Sequence, residues 1–316
     1  MGEKKYDVVV VGMQCIDIVC SPVAPGIMDR ETTVVESAKL MLGGDAQNQA
    51  ISLASLGAKV ALTGVVGNDR MGDVLLKQLS AFPITLLERR EDVNTSVSLV
   101  LVAANGDRHF IYQPQSNQAL GYRHIDLDAV RNAAFLSVGG CLSLPGLDGA
   151  DMLKLLDLAH ESGVRTALDF NVTDYMLDPA ALKALLSRTD YVLPSEAEVR
   201  ALTGEGGDPA EMVRRLRALG ATNCVIKLGG KGCYVAADGF EGAVPPYPCR
   251  CVDTTGAGDT FVAAFLYART RGWDILRCAR FANAAGSIAV EHPGANGGIH
   301  SAAQVEARMG LSQNEL

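Results

Sequence analysis

The chain has no surplus of basic side chains: its 316 residues hold 28 Lys and Arg against 36 Asp and Glu, a formal net charge of −8. Non-specific binding of a polyanion needs clustered Lys and Arg, so nucleic acid is excluded as a partner. No apolar run reaches the ~18–20 residues of a membrane-crossing helix, which excludes a spanning segment. The opening Met-Gly-Glu-Lys-Lys-Tyr-Asp lacks the apolar core of a signal peptide, and no Ser or Thr stands where myristoylation of Gly2 expects one. Internal repeats, low-complexity tracts and dividing linkers are also missing, so residues 1–316 read as a single domain. With 48% hydrophobic residues, the chain can bury a substantial core.

Cysteine is present without the spacing that would give it a metal or a disulfide framework. Cys15, Cys20, Cys141, Cys224, Cys233, Cys249, Cys251 and Cys278 include one Cys-x-Cys and no Cys-x-x-Cys. Most sit in apolar runs such as Asn223-Cys224-Val225-Ile226, where a thiol packs as a small hydrophobe. Reduced thiols of a cytoplasmic protein follow. Two nucleotide fingerprints are absent as well. Gly12-Met13-Gln14-Cys15-Ile16-Asp17 lacks the later glycines of a dinucleotide-binding turn, and Gly229-Gly230-Lys231-Gly232 has no Ser or Thr after its Lys, so it is no Walker loop. It reads instead as a Gly-rich turn between strand-like runs.

What is present alternates. Continuous apolar runs at Lys5–Gly12, Lys59–Val66, Phe135–Gly140, Arg165–Phe170, Tyr191–Leu193 and Cys224–Leu228 predict strands buried on both faces. Helical spacing of Met71, Val74, Leu75, Leu79 and Phe82, and of Met152, Leu155, Leu156 and Ala159 before Gly163, predicts helices between them. Asp208-Pro209 is an N-cap followed by proline at the first helical position, with Gly220 as the stop. Such alternation gives an α/β fold with a mostly parallel central sheet covered on both sides. Ser96–Ala103 and Arg108–Tyr112, joined around Asn105-Gly106, break the pattern as a hairpin. With Ile18–Leu40 it predicts a small β-sheet lid from segments about 14–40 and 95–115 over a substrate cleft; an edge extension of the main sheet and a homodimer contact are the alternatives.

The most informative stretch is Val252-Asp253-Thr254-Thr255-Gly256-Ala257-Gly258-Asp259-Thr260-Phe261, which leads into the helical pattern Val262–Ala268. Small residues at a helix N-terminus leave the N–H groups of Gly256, Ala257 and Gly258 open to an anion such as a transferring phosphoryl group. A carboxylate at Asp259 would repel that anion, so its place is explained if it faces the other reactant and accepts a proton from an attacking hydroxyl. Support of the first helical turn is the bland alternative. A second constellation, Gly43-Gly44-Asp45-Ala46-Gln47-Asn48-Gln49-Ala50, predicts a helix from Gly44 to Gly57 with Asp45, Asn48, Gln49 and Ser52 on one face. Neutral amides and one Asp suit hydroxyl binding better than a solvated face.

These two constellations resemble the signatures of the ribokinase-like (PfkB-type) carbohydrate kinase family, the second almost letter for letter, and the resemblance runs over nearly the whole chain. Weaker agreements follow in order at Gly64–Gly72, Leu228–Gly232 and Asn283–Gly294. The resemblance implies a three-layer α/β/α sandwich with a β lid and transfer of the ATP γ-phosphoryl group with Mg²⁺. It implies Asp259 as base, Gly256, Ala257 and Gly258 as anion hole, and Asp17, Gly44, Asp45 and Asn48 as contacts to substrate hydroxyls. Lys227, Gly229, Gly232 and Asn283 would lie near the nucleotide, and Glu198 would organise Mg²⁺ through water. An activating monovalent cation, K⁺, would sit among Asp253, Thr255, Ala289, His292 and Gly294.

Departures from the family pattern are specific. Ser195-Glu196-Ala197-Glu198 keeps the Glu of an Asn-x-x-Glu motif but has Ser for Asn, and Ser-x-x-Glu is also a capping box. After Asp169-Phe170-Asn171, Thr173 stands where many members have Arg. Gly298 falls where some relatives place a Ser ligand to the cation. Asp45 replaces the Lys of typical ribokinases, which argues against ribose and against acidic sugars, while Arg108 and His109 on the hairpin argue the other way. A sugar acceptor is expected. A nucleoside, its base walled by Met13, Phe110 and Tyr112, and a catalytically silent ligand sensor are the rivals.

Overall fold

The computed structural model describes residues 4–172, 178–204 and 207–310; Thr173 lies outside them. Strand β1 (Tyr6–Gly12) shows why its run is apolar throughout: Val8 and Val10 enter one core and Val9 and Val11 the other, all fully buried. Alternate side chains leave opposite faces, so a strand covered on both sides has no polar position to spare.

In chain order there follow β2 (Cys15–Ser21), β3 (Ser37–Gly43), α1 (Asp45–Ser55), β4 (Val60–Thr63), β5 (Val65–Gly67), α2 (Arg70–Leu79), β6 (Ile84–Leu86) and β7 (Arg89–Glu91). The middle of the chain forms β8 (Val97–Val102), β9 (Arg108–Gln113), α3 (Gln115–Ala119), α4 (Leu127–Arg131), β10 (Ala133–Cys141), α5 (Ala150–Glu161), β11 (Arg165–Phe170), α6 (Pro179–Leu186), β12 (Tyr191–Val192), α7 (Glu196–Thr203) and α8 (Pro209–Ala218). The last part holds β13 (Asn223–Lys227), β14 (Cys233–Ala237), β15 (Phe240–Val244), α9 (Ala257–Thr270), α10 (Ile275–Ala289) and α11 (Ala302–Gly310).

Nine strands make one sheet in the order β15-β14-β13-β12-β11-β10-β1-β4-β6. Every pairing from β6 to β13 is parallel, and β13-β14-β15 closes the edge as an antiparallel meander. Helices α1, α9 and α10 pack through Ile51, Phe261, Phe265 and Phe281 on one face. On the other, α5 to α8 pack through Leu155, Leu185, Val199 and Val213. Three layers result. The expected strand Lys59–Val66 divides at Gly64, where the chain leaves the large sheet and β5 pairs with β7 instead.

A second, four-stranded sheet in the order β3-β2-β8-β9 stands apart from the first, so the hairpin is not an edge extension. Its turn is the predicted one: Gly106 takes φ +89° and its N–H donates to Ala103 O at 2.9 Å. One face carries the exposed Leu40, Leu99 and Ile111, and the other turns Asp17, Lys39 and Arg108 toward the large sheet's helices. Among the described residues no helix is long and apolar enough to cross a membrane.

Candidate active site

The strand order reverses direction between β1 and β10, and in parallel sheets a crevice opens at the carboxyl ends of strands at such a point. Helix α1 starts there. Gly44 precedes it with φ +93°, and a Cβ at that position would lie 2.6 Å from Met13 O. The same carbonyl accepts the N–H groups of Ala46 (3.1 Å) and Gln47 (3.3 Å), so the first turn of α1 is pinned against the end of β1. The predicted polar face of α1 turns inward, and every residue from Ala46 to Ala54 is buried. Asn48 donates to Asp259 Oδ2 at 2.8 Å, Gln49 donates to Asp169 Oδ2 at 3.0 Å, and Ser52 meets Thr260 at 3.3 Å. Buried polar atoms demand partners, and here they are Asp259 and Thr260 of the glycine-loop stretch and Asp169 at the end of β11.

Gly256 is the N-cap of α9 at φ +70°, and a Cβ there would sit 2.6 Å from the Ala295 side chain, so glycine is required. Among the described residues the N–H groups of Gly256 and Gly258 have no acceptor, and they sit at the positive end of the 14-residue α9. That of Ala257 makes a 3.3 Å turn bond to Thr254 O, so the loop leaves two donors open, not the three expected. The turn that sets up the helix consumes the third. Burial pushes the Asp259 carboxyl well above its ordinary value. The charges of Asp45 and Asp169 add to this, while the Asn48 hydrogen bond and Lys227 oppose it.

Lys227, the last residue of β13, is the cation at the centre. Its ammonium is ion-paired with Asp169 at the end of β11, with side chains only 12% and 3% exposed. Burial alone would lower its pKa, but Asp169, Glu198 and Asp259 together raise it, so it stays charged. Glu198 is raised by burial and by Asp169, with Lys227 opposing. Asp45, which accepts from Asn171 Nδ2 at 3.3 Å, is lifted to about 7, first by burial and then by Asp169. Four carboxylates thus face one ammonium. Asp17 lies on β2, its carboxylate within 2.5 Å of where a Gly43 Cβ would be, and burial lifts it to about 6.

Two cavities flank the glycine loop. One, of about 430 Å³, is lined by Glu198, Lys227, Gly229, Tyr247, Gly258 and Asn283 among others. The other, of about 570 Å³, is enclosed by the small sheet through Asp17, Lys39 and Arg108 and by Asp253, Thr255 and Gly294. Both lie in the range of small-molecule sites. The loop gives Thr254, Ala257 and Gly258 to one cavity and Asp253 and Thr255 to the other, so it can pass an anionic group from a ligand in one to a ligand in the other.

Residues 5–302 match the model of the pfkB family carbohydrate kinases. The chain belongs to this family. It is 30% identical to a ribokinase of Bacillus subtilis, covering 87% of this chain and 90% of that one. It is 28% identical to fructokinase-1 of Oryza sativa, over 93% and 95% of the two chains. The ribokinase of Arabidopsis thaliana, solved with ribose and ATP, is 26% identical and superposes with a TM-score of 0.82 over 97% of this chain and 99% of its own.

The remaining family positions of this PfkB-type kinase fall into place unevenly. Gly229 and Gly232 form the β13–β14 turn and line the smaller cavity. Asn283 lines it too, but its amide is spent on Val244 O and Pro245 O at 3.0 Å each, which anchors the following loop. Glu198 closes the capping box: its carboxylate accepts Ser195 N–H at 2.6 Å and its own N–H donates to Ser195 Oγ at 3.2 Å. It still faces the cavity. Asp253, Thr255 and Gly294 are joined, with Asp253 accepting the N–H groups of Thr255 (2.7 Å) and Gly294 (2.9 Å). The Ala289 carbonyl takes the His292 N–H at 3.2 Å.

Four participants were given no site role in the motif reading: Asp169 as partner of Lys227, Gln49 donating to Asp169, Asn171 on Asp45, and Asn296, whose amide donates to Asn48 Oδ1 at 3.1 Å. The polar face of α1 signalled Gln49, the segment Asp169-Phe170-Asn171 signalled two more, and no motif marked Asn296. Cys249 and Cys251 are exposed and line the smaller cavity, unlike the thiols in apolar runs.

Proposed function

We propose that Asp259 takes the proton of an acceptor hydroxyl while the γ-phosphoryl group of ATP crosses the Gly256–Gly258 loop from the smaller cavity to the larger. The observation that carries this is the position of that loop between the two cavities, with Asn48 fixing the carboxylate at 2.8 Å. The open N–H groups of Gly256 and Gly258 and the ammonium of Lys227 stabilise charge on the moving group. Glu198, the carboxylate that lines the smaller cavity, would meet a divalent cation bound with ATP. Mg²⁺, when bound, would supply positive charge beside the phosphates and favour the ionised Asp259 that a base needs. Glu198 would hold its waters. The small sheet acts as a lid that excludes water from the acceptor side.

The acceptor is read as an uncharged monosaccharide. Asp17, which lines that cavity, and Asp45 and Asn48 in the first turn of α1 offer hydroxyl-binding groups; the cavity's Arg108 is held by Asp253, which leaves Lys39 as its other cation. None of Met13, Phe110 and Tyr112 lines the acceptor cavity; its apolar wall is aliphatic, from Val19, Met41, Val100 and Val102, and offers no ring for a nucleoside base to stack on.

ADP release with Mg²⁺-ATP across a panel of sugars, polyols and nucleosides tests the reading. Asp259→Asn is expected to lower kcat on the order of 10²-fold or more while ATP binding persists. An acceptor-dependent turnover unchanged in that variant would remove Asp259 from the role.

A further inference from the structure

The cation positions of this family fold meet an arginine in this chain. Arg108, the first residue of β9, lies on the small sheet, 145 residues from Asp253, and its guanidinium is ion-paired with Asp253 Oδ1. The pair is shielded, with side chains 19% and 17% exposed. The same oxygen accepts the Thr255 N–H at 2.7 Å, and Oδ2 accepts the Gly294 N–H at 2.9 Å. One carboxylate therefore ties together the small sheet, the start of the glycine loop and the α10–α11 connection.

A monovalent cation is held by several oxygens aimed at one point. Here Asp253, the charged member of that set, is already engaged. Both oxygens of Asp253 carry N–H donors, the Ala289 carbonyl carries the His292 N–H, and a second positive charge beside Arg108 would meet like-charge repulsion. These residues do not fit K⁺.

We propose that Arg108 stands in for the monovalent cation: its guanidinium neutralises Asp253 and holds the Asp253–Gly258 loop in register, so that the kinase works without K⁺. Because Arg108 belongs to the small sheet, seating that sheet over the acceptor and ordering the anion cradle are one event. Arg108 is a positioning residue acting through Asp253. The proposal rests on the kinase reading of the loop, but ion binding can be read without any acceptor.

The test compares thermal unfolding of the full chain in KCl, NaCl, LiCl and tetramethylammonium chloride at equal ionic strength, together with thallium(I) NMR as a probe of a K⁺ site. The wild type is expected to show the same Tm in all four salts and no thallium signal that K⁺ displaces. Arg108→Met is expected to gain both a K⁺-specific rise in Tm and a displaceable thallium signal. Its turnover should drop roughly tenfold in tetramethylammonium and recover in KCl but not LiCl, a scale set by ordinary coupling between sites. Arg108→Lys, which keeps the charge, should remain indifferent to K⁺. A K⁺-specific Tm rise or displaceable thallium in the wild type overturns the proposal without reference to any variant. So does a folded Arg108→Met that gains neither. If no acceptor turns over, the kinase reading fails while the ion measurements still decide this one.

Discussion

Asp17 and Asp45 carry carboxyls that burial lifts from 3.8 to about 6 and about 7 respectively. The sign of their effect on stability follows from where the protons sit. Above pH 4 the unfolded chain has released them, while the folded protein keeps them until the pH passes 6 and then 7. Their contribution is therefore full below about pH 4 and is lost as the pH rises through 6 to 7. With each unit worth about 1.4 kcal/mol, Asp45 alone accounts for on the order of a few kcal/mol. Unfolding in urea at pH 5 and pH 8 should show the ligand-free protein weaker at pH 8, with a smaller difference in Asp45→Asn. Sugar hydroxyls donate best to the ionised form, so KM for the acceptor should fall over the same interval. Equal urea midpoints at both pH values in the wild type would mean that Asp45 is not held protonated.

At the scale of the element, α7 separates two roles of one carboxylate. Glu198 caps the helix through Ser195 and also faces the smaller cavity. Glu198→Gln keeps a side chain able to accept the Ser195 N–H, so stability should change by less than about 0.5 kcal/mol. The Mg²⁺ concentration for half-maximal turnover should rise roughly tenfold, on the scale by which groups around a metal tune its affinity. Ser195→Ala should do the reverse, costing about 1 kcal/mol with little change in the Mg²⁺ titration. If Glu198→Gln leaves that titration unmoved, capping is its whole role. The elements differ in how far their sequences announced them. β1 and β11 were legible because burial on both faces leaves an unbroken apolar run. α8 was legible because Asp208, Pro209 and Gly220 mark its limits. β3, with exposed Ala38, Lys39 and Leu40, and the three-residue β6 and β7 have no such pattern, since an edge or two-sided exposure asks little of side-chain polarity. The motifs placed Asp259 and Asn48 in the site, but their hydrogen bond joins residues 211 apart, and the Lys227–Asp169 pair spans 58. Such pairs are products of sheet order, which local periodicity does not contain.

Over the whole molecule the two sheets divide the work unequally. The large sheet and its helices bury two continuous cores and supply the lining of the smaller cavity, which takes no residue from the small sheet. The small sheet leaves Leu40, Leu99, Phe110 and Ile111 exposed and closes only the larger cavity. An element with few buried contacts opens at lower cost than the core, so its amides should exchange with solvent faster than those of β1 and β10. An acceptor bridging Asp17 and Asp45 would link that sheet to α1 and slow exchange across β2, β3, β8 and β9 by roughly tenfold, as about 1.4 kcal/mol of added local stability would. ATP alone touches only the rigid side and should leave those amides unchanged while protecting the β13–β14 turn. Hydrogen exchange read by mass spectrometry with acceptor, ATP or both would separate the cases. Slowing of the small sheet by ATP alone would show that the lid answers to the nucleotide, and the division of labour drawn from the two cavities would then be wrong.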